Sequence, residues 1–310
     1  MISFTELQTK WNEMSRLQEG YILISGEHKL SFHIGYNSSH QKSFVLLDSG
    51  MVSDIPSSKA ICAKCIKTDD GVCSLQFSLQ FNNLEDVFTL LCWDLMDSSN
   101  VEEDPLGHLI DRYNNWHKLL QKGNIVLLSS IQIKGLIGEL LYLEKLIDTY
   151  GEKTALNSWI GPDGFDQDFV LLDKWIEVKT VAISADGVII SSLQQLERSD
   201  YGELSIFFMD KTSPNDSKAY SLEKVVNKVE NKLSTQNLRD KFWCKLMRCG
   251  CFKHHLNKYS EPKYRLAENR TYCVNDRFPR LVRVTVPVEI MSAKYTISLA
   301  SIKKFQLTKD

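Results

Sequence analysis

The chain has 310 residues, of which 43% are hydrophobic and 25% charged, and its formal net charge is −2. This composition is typical of an ordinary soluble protein with one large domain or two to three small ones. The first residues mix acidic and basic side chains, and no run approaches the roughly 18 apolar residues needed to span a bilayer. We therefore expect a cytoplasmic protein without a membrane partner.

Residues 21–92 are predicted to be rich in β-strands, because β-type runs such as LSFHIGY and SLQFSLQF alternate with polar turns. The stretch LEDVFTLLCWDLM predicts a helix that closes this region, and the acidic segment DSSNVEEDPLG predicts a linker. We expect three regions: a β-rich amino-terminal domain at 1–106, a core at 107–212 and a basic α/β region at 213–310.

The eight cysteines are scattered along the chain, which is typical of reduced thiols rather than a disulfide framework. Two loose groups have some resemblance to zinc-ligand spacing, but neither supplies four closely spaced ligands. A zinc site and ordinary buried cysteines both remain open for each group. The groups are Cys62, Cys65 and Cys73, and Cys249, Cys251 and His254.

Charge is distributed unevenly along the chain. Residues 1–210 hold 16 Lys and Arg against 30 Asp and Glu, a net of −14, whereas residues 211–310 hold 21 against 9, a net of +12. Such a basic surface would attract phosphate backbones, and interleaved aromatic rings could stack on exposed bases. The alternative is a solvated face that balances the acidic remainder. The aromatic residues concerned are Trp243, Phe252, Tyr259, Tyr264, Tyr272 and Phe278.

Residues 135–151 predict an amphipathic helix with an apolar stripe and a glycine, Gly151, at the position of a C-cap. Glu139 lies beside that stripe. Gly135 and Gly138 leave the helix surface bare, so another backbone or a ligand could come close. Taken alone, Glu139 is better explained as a solvated surface residue.

Three charges, Asp168, Glu177 and Lys179, interrupt the apolar stretch GFDQDFVLLDKWIEVKTV. We predict two antiparallel strands joined at Asp173–Lys174, with Asp168 opposite Lys179. Because side chains alternate along a strand, all three charges emerge on one side of the sheet. This register also pairs Leu172 with Trp175 and Val170 with Glu177.

Two buried carboxylates and an ammonium are costly unless a cation compensates them. Magnesium takes one or two protein carboxylates and leaves positions for phosphate oxygens. A lysine beside the ion could orient water or stabilise charge on phosphorus. The alternative is a cross-strand salt bridge between Asp168 and Lys179.

Further along the chain, AISADGVII predicts a hairpin that turns at Asp186–Gly187. Ser192 and Gln195 have the spacing of a capping box at the start of a helix. An apolar strand at 204–210 and two helices, SLEKVVNKVENKL and NLRDKFWCKLMRCG, follow.

These residues resemble the PD-(D/E)XK nuclease superfamily, which has the restriction-endonuclease-like fold. More narrowly, the blocks GLIGELLYLEKL, NSWIGPDGFDQDFV, WIEVKT and IISSLQQLE resemble a little-characterised prokaryotic family of this type. DRFPRLVRV and KYTISL extend the similarity towards the carboxyl end. The resemblance implies an α/β fold with a mixed sheet flanked by helices, and it makes residues 107–212 the nuclease core.

The resemblance also implies roles for individual residues. Asp168 and Glu177 would bind the metal with the Val178 carbonyl as a third protein ligand, and Lys179 would be the catalytic lysine. Glu139 would complete the metal shell directly or through water.

Gln195 would act from the helix after the third strand, although capping explains it equally well. The adjacent Pro162–Asp163 pair lies too early in the chain, so Asp168 is assigned as the strand-start acid, with Asp166 in reserve.

We accordingly expect a Mg²⁺-dependent deoxyribonuclease, with Mn²⁺ as a substitute ion, that leaves 5′ phosphates and acts in prokaryotic defence or restriction. DNA, a helicase or a methyltransferase are the expected partners, and a homodimer is open. One alternative is a nuclease-like module that binds DNA or docks into a larger assembly without cutting. Another is a structural protein in which the charges form only a salt-bridged sheet.

Overall fold

The computed structural model describes residues 2–307, except residues 17, 25, 50–54, 68–70, 72, 102 and 121–126 and the side chains of Asn83, Leu119 and His254. The chain divides into two compact units, residues 1–126 and 127–310. No helix of the described residues is long and apolar enough to cross a membrane.

The first unit is an antiparallel sheet packed against helices. Phe77 of the sheet packs on Tyr113 of the last helix, with ring centroids 4.6 Å apart, and the Phe32 and Phe44 rings stack on neighbouring strands. The predicted strand-rich region and its closing helix are confirmed. The strand order is β1-β2-β3-β5-β4, and the elements are α1 Phe4–Asn12, β1 Gly20–Leu23, β2 Ser31–Tyr36, β3 Lys42–Leu47, β4 Ile61–Lys67, β5 Cys73–Leu79, α2 Glu85–Ser98 and α3 Pro105–Leu120.

The second unit, which is described without a gap from residue 127 to residue 307, combines helices with a mixed sheet. Its elements are α4 Ser130–Tyr150, α5 Glu152–Ser158, β6 Phe169–Val170, β7 Trp175–Val181, β8 Gly187–Ile190, β9 Gly202–Thr212, α6 Leu222–Lys232, α7 Gln236–Arg248, β10 Lys263–Val274, β11 Tyr295–Ser298 and α8 Leu299–Ile302.

The main sheet has the order β10-β9-β7-β6, in which β7 and β9 are parallel and the other pairs antiparallel. The predicted α/β fold with a mixed sheet is therefore confirmed. Strand β10 comes from the basic carboxyl-terminal part of the chain, so this sheet joins residues from both sides of position 212. The division into three regions stays a prediction.

Alternating side chains of β7 supply two apolar layers. Ile176 and Val178 join a cluster with residues of α4, α6 and α7. Trp175 points to the opposite face and packs with Leu204 of β9 and Val188 of β8. Glu177 shares the face of Trp175 because strand side chains repeat every second residue. A carboxylate thus enters an otherwise apolar layer.

Helix α4 begins five residues before its predicted start, because Ser129 and Gln132 form a capping box. Its end is as predicted: Gly151, with φ of 81°, terminates the helix and donates to the Ile147 carbonyl. Gly138 lets the helix approach β7, since a Cβ at this position would lie 2.5 Å from Cγ2 of Thr180. This close approach fixes where Glu139 lies relative to β7.

The predicted hairpin at 182–190 is wrong. Strand β8 pairs with β11, with Gly187 opposite Ser298 and Ile190 opposite Tyr295. Both edges of β7 are already occupied, by β6 and β9, so no edge is left for β8. A turn in which the Ala185 N–H donates to the Ala182 carbonyl leads the chain away from the sheet.

The aromatic residues predicted to stack on bases are instead part of the protein interior. Each is at most 6% exposed, and Tyr259 and Tyr264 belong to the same cluster as α4. The polar tip of Trp243 donates a hydrogen bond to Glu230. Buried rings cannot stack on nucleobases, so that part of the interpretation is wrong for Trp243, Phe252, Tyr259, Tyr264, Tyr272 and Phe278.

Candidate active site

The predicted site residues come together beside β7 in the second unit. Lys179 Nζ lies 2.7 Å from Glu177 Oε1 and donates to Gln195 Oε1 at 3.1 Å. Burial, and then the negative charge of Asp168, raise the pKa of both Glu139 and Glu177, so the three carboxylates lie within electrostatic range of one another. The chain therefore collects three acids and one amine at one location.

The register that carries Asp168 there differs from the prediction by two residues. Phe169 pairs with Ile176 and Val170 with Trp175, so the pairs Leu172–Trp175, Val170–Glu177 and Asp168–Lys179 are wrong. A four-residue turn replaces the two-residue turn, with the Leu171 N–H donating to the Lys174 carbonyl, and Leu172 is fully exposed.

A shift of two residues leaves every side chain on its predicted face, because the strand repeat is also two. Asp168 thus stays on the side of Glu177. Its Oδ2 accepts a hydrogen bond of 2.8 Å from the Val178 N–H, which anchors the carboxylate to β7.

A short loop that precedes Asp168 holds the site together. The Ile160 and Gly161 N–H groups both donate to the Asp168 carbonyl, at 2.9 and 3.0 Å. A Cβ on Gly161 would lie 3.0 Å from Asp168 Oδ1 and 3.2 Å from its Cα, so a larger residue would press on the carboxylate.

Trp159, at the start of the same loop, is fully buried, and its Nε1–H donates to Glu139 Oε2 at 2.9 Å. Sequence reasoning assigned no role to Trp159 or Gly161. The WIGP sequence contains both residues and is the feature that could have indicated their role.

The adjacent Pro162–Asp163 pair stabilises the loop and is not part of the carboxylate cluster. Asp163 forms ion pairs with Lys245, at 2.8 Å, and with Arg248 of α7. Asp166, the reserve candidate, is exposed. Of the acids near the start of β6, Asp168 is the one hydrogen-bonded to β7.

Glu177 is the most buried acid of the cluster, with 1% of its side chain exposed. Its Oε1 is paired with Lys179, but its Oε2 has no hydrogen-bond partner. Burial, and then the charge of Asp168, raise the pKa of Glu177 well above its usual range. A buried oxygen without a hydrogen-bond partner is costly, and coordination of a cation would offset that cost.

The other two acids are half-buried and shifted in the same direction. Burial and the Asp168 charge raise the pKa of Glu139 to about 8. Burial raises the pKa of Asp168 to about 6, although the Val178 N–H and Lys179 act in the opposite direction. These raised pKa values mean that, with Lys179 as the neighbouring cation, the carboxyls are held towards their protonated forms. Three ionised carboxylates would carry more negative charge than one amine neutralises, so a bound cation would favour the ionised forms.

Gln195 fixes the position of the amine rather than capping a helix. Residues 194–196 form a single 3₁₀ turn whose N-cap, Leu193, makes no side-chain hydrogen bond. The Gln195 amide oxygen instead accepts from Lys179 Nζ and from the Ser191 N–H, the latter at 2.8 Å. The capping-box interpretation of Ser192 and Gln195 is therefore wrong.

The donor set suits a hard divalent cation. Among the described residues, no three His, Cys, Asp or Glu side chains stand close enough together to form a ready-made metal site, and all eight cysteines are free thiols. Magnesium, however, needs only one or two protein carboxylates and keeps several waters. Asp168 and Glu177, with the unpartnered Glu177 oxygen, meet that requirement. The Val178 N–H donates a hydrogen bond to Asp168. The role of the Val178 carbonyl as a metal ligand stays a prediction.

Comparison with known proteins identifies the family. A family model described as "Putative PD-(D/E)XK family member, (DUF4420)" matches residues 7–300. No curated protein and no solved structure matches the chain. Because the match covers nearly the whole sequence and includes every residue of the carboxylate cluster, the chain belongs to this PD-(D/E)XK family.

Proposed function

We propose that this protein is a metal-dependent nuclease that hydrolyses DNA phosphodiester bonds. The observation that carries the proposal is the convergence of Glu139, Asp168 and Glu177 on one lysine, with a buried Glu177 oxygen left unpartnered. Membership of the PD-(D/E)XK family supports nuclease-like chemistry. Magnesium as the ion and DNA as the substrate are parts of the proposal.

Asp168 and Glu177 would hold Mg²⁺, with the Val178 carbonyl as a third ligand and Glu139 bound directly or through water. When bound, the ion supplies a Lewis acid for the phosphate and a water of lowered pKa. The unpartnered oxygen of Glu177 is the protein group most directly available to it.

Lys179 would act on the reacting phosphate or on the attacking water. Its Nζ is held between Glu177 Oε1 and Gln195 Oε1, so the ammonium is oriented before substrate arrives. From that position it can donate a hydrogen bond to the water or stabilise negative charge that grows on the phosphoryl oxygens. Gln195 is a positioning residue in this scheme.

The basic carboxyl-terminal third would supply the attraction for the DNA backbone. Many of its cationic side chains are exposed, among them Lys218, Lys253, Lys258, Arg265, Arg277, Lys294, Lys303 and Lys304. If about five of them contact phosphates, the affinity for duplex DNA should fall with salt with a log–log slope of roughly −4 to −5. A weak salt dependence would remove this surface from DNA binding.

A cleavage assay tests the proposal. Plasmid, linear duplex and single-stranded DNA are incubated with Mg²⁺, Mn²⁺ or EDTA and with wild type, Lys179→Ala, Asp168→Ala or Asp166→Ala protein. We expect metal-dependent cutting that is lost in the first two variants and kept in the third, since Asp166 is exposed. Tight, salt-sensitive binding without cutting would favour a DNA-binding module. Neither binding nor cutting would favour a structural role.

A further inference from the structure

A loop near the candidate active site exposes apolar side chains. Residues 281–294, here called the apolar loop, carry Val284, Val288 and Met291, which are 93%, 76% and 89% exposed. Leu281 and Ile290 add partly exposed apolar surface at 36% and 41%. A run of exposed apolar side chains of this kind is typical of an interaction site rather than of ordinary surface.

The loop is held in shape by its own arginine. The Arg283 guanidinium donates to the Val288 carbonyl at 2.8 Å and also to the Ile290 carbonyl. The Thr285 hydroxyl donates to the Val282 carbonyl at 2.9 Å, which closes a turn inside the loop. The apolar side chains are therefore presented outward by a compact backbone.

The same loop is tied to the residues that follow Gln195. The Arg283 N–H donates to Glu197 Oε1. Arg280, just before the loop, donates from Nη1 to the Leu196 carbonyl at 2.6 Å and the Arg198 carbonyl at 2.9 Å. Since Gln195 itself accepts from Lys179, one short chain of contacts connects the loop to the reactive amine.

Tyr295 makes a second connection at the other end of the loop. Its hydroxyl accepts a hydrogen bond from the Leu281 N–H at 3.3 Å. It also lies within electrostatic range of Arg280 and Lys179. One end of the loop thus contacts the residues that follow Gln195, and the other lies within electrostatic range of Lys179.

We propose that the apolar loop inserts its exposed side chains against the bases of the DNA duplex whose phosphate enters the carboxylate cluster. This inference rests on the proposed function and adds to it a base-contacting element. Apolar side chains wedged at a base step unstack it and bend the duplex. The exposed cations Arg277 and Lys294, which precede and follow the exposed apolar residues along the chain, are suited to the flanking phosphates.

The position of the apolar loop and the charges around it favour a DNA duplex as its binding partner. The loop is hydrogen-bonded to the segment that follows Gln195, and along the chain the exposed cations Arg277 and Lys294 flank its apolar residues, against one exposed acid, Glu289. A duplex presents both features at once, because its base edges are flanked by phosphate rows. A second copy of the chain is the competing occupant, and the experiment separates the two.

The test compares two sets of serine substitutions. The loop variant carries Val284→Ser, Val288→Ser and Met291→Ser, and the control carries Ile131→Ser and Leu172→Ser, which are also strongly exposed, at 85% and 106%. Binding to a short duplex is measured in EDTA by fluorescence anisotropy at several salt concentrations. A 2-aminopurine base in the duplex reports unstacking.

We expect the loop variant to bind on the order of tenfold more weakly and to lose the 2-aminopurine signal, with an unchanged melting temperature. Its salt slope should stay that of wild type, because no phosphate contact is removed. The control should match wild type in every measurement.

Wild-type affinity and signal in the loop variant would overturn the inference while leaving the nuclease proposal intact. A loop variant that dissociates a dimer in sedimentation, with DNA binding unchanged, would assign the loop to contact between copies instead. Absence of both DNA binding and cleavage by the wild-type protein would refute the proposed function, and the loop inference with it.

Discussion

Replacing Glu139 with glutamine should stabilise the metal-free protein at alkaline pH. Burial and the neighbouring Asp168 raise the pKa of Glu139 to about 8, from an ordinary value of 4.5. Glutamine has nearly the same shape, and its amide oxygen can still accept the 2.9 Å hydrogen bond from Trp159 Nε1. The substitution therefore removes the ionisation and keeps the contact.

The direction of the pH effect follows from proton linkage. A carboxyl whose pKa is higher in the folded than in the unfolded chain contributes stability below pH 4.5, and this contribution is lost as pH rises towards 8. At ~1.4 kcal/mol per pH unit the full loss has an upper limit near 5 kcal/mol. Because Glu139 is only half-buried, we expect about 2–3 kcal/mol at pH 9.

Urea unfolding in EDTA between pH 5 and pH 9 measures this difference. The difference between the two free energies of unfolding should be smallest at pH 5 and grow steadily up to about pH 8, with the wild type falling more steeply than the variant. The loss that comes from Asp168, whose pKa is raised to about 6, should appear in both. Adding Mg²⁺ should restore much of the wild-type stability at pH 9, since an ion that binds the folded state stabilises it.

Parallel pH profiles for the two proteins would refute the reasoning, because they would mean that Glu139 titrates as an ordinary surface glutamate. A Glu139→Ala variant provides the control. It removes the charge and the Trp159 contact together, so it should lack the part of the pH dependence that comes from Glu139 and be less stable than the glutamine variant at every pH.

Two further predictions concern glycines around the site. Gly138→Ala should lower the free energy of unfolding by roughly 1–3 kcal/mol, since its methyl group would lie 2.5 Å from Thr180 Cγ2. Gly135→Ala, which would place no atom within 4 Å of its new methyl group, should raise the free energy of unfolding by about 0.5–1 kcal/mol. Thermal melts of the two variants measure both effects, and equal shifts would contradict the packing of α4 on β7. Gly161→Ala should displace Asp168 and weaken Mg²⁺ binding roughly tenfold or more. Calorimetry measures this affinity, with Asp166→Ala as the matched control. An unchanged affinity would show that the loop around Gly161 does not contribute to ion binding.

Local sequence patterns were enough to predict which face of the sheet each candidate site residue of β6 and β7 occupies. Helix α4, its end at Gly151 and the alternation of β7 follow from local periodicity and turn chemistry, which depend on neighbouring residues only. Asp168, Glu177 and Lys179 were predicted on one side of the sheet, and the shift of the register by two residues left that result unchanged. Because strand side chains alternate between faces with a repeat of two residues, a register error of two residues leaves each side chain on the same face.

Tertiary structure alone decided the pairings between distant segments. Strand β8 took β11 as its partner because β9 and β6 already occupied the edges of β7, and the aromatic residues of the basic region were needed in the interior. The hydrogen bonds between Trp159 and Glu139 and between Gln195 and Lys179 join residues that are 20 and 16 positions apart in the chain. Such contacts depend on which partners compete for each edge and cavity, and that competition is settled only when the whole unit packs.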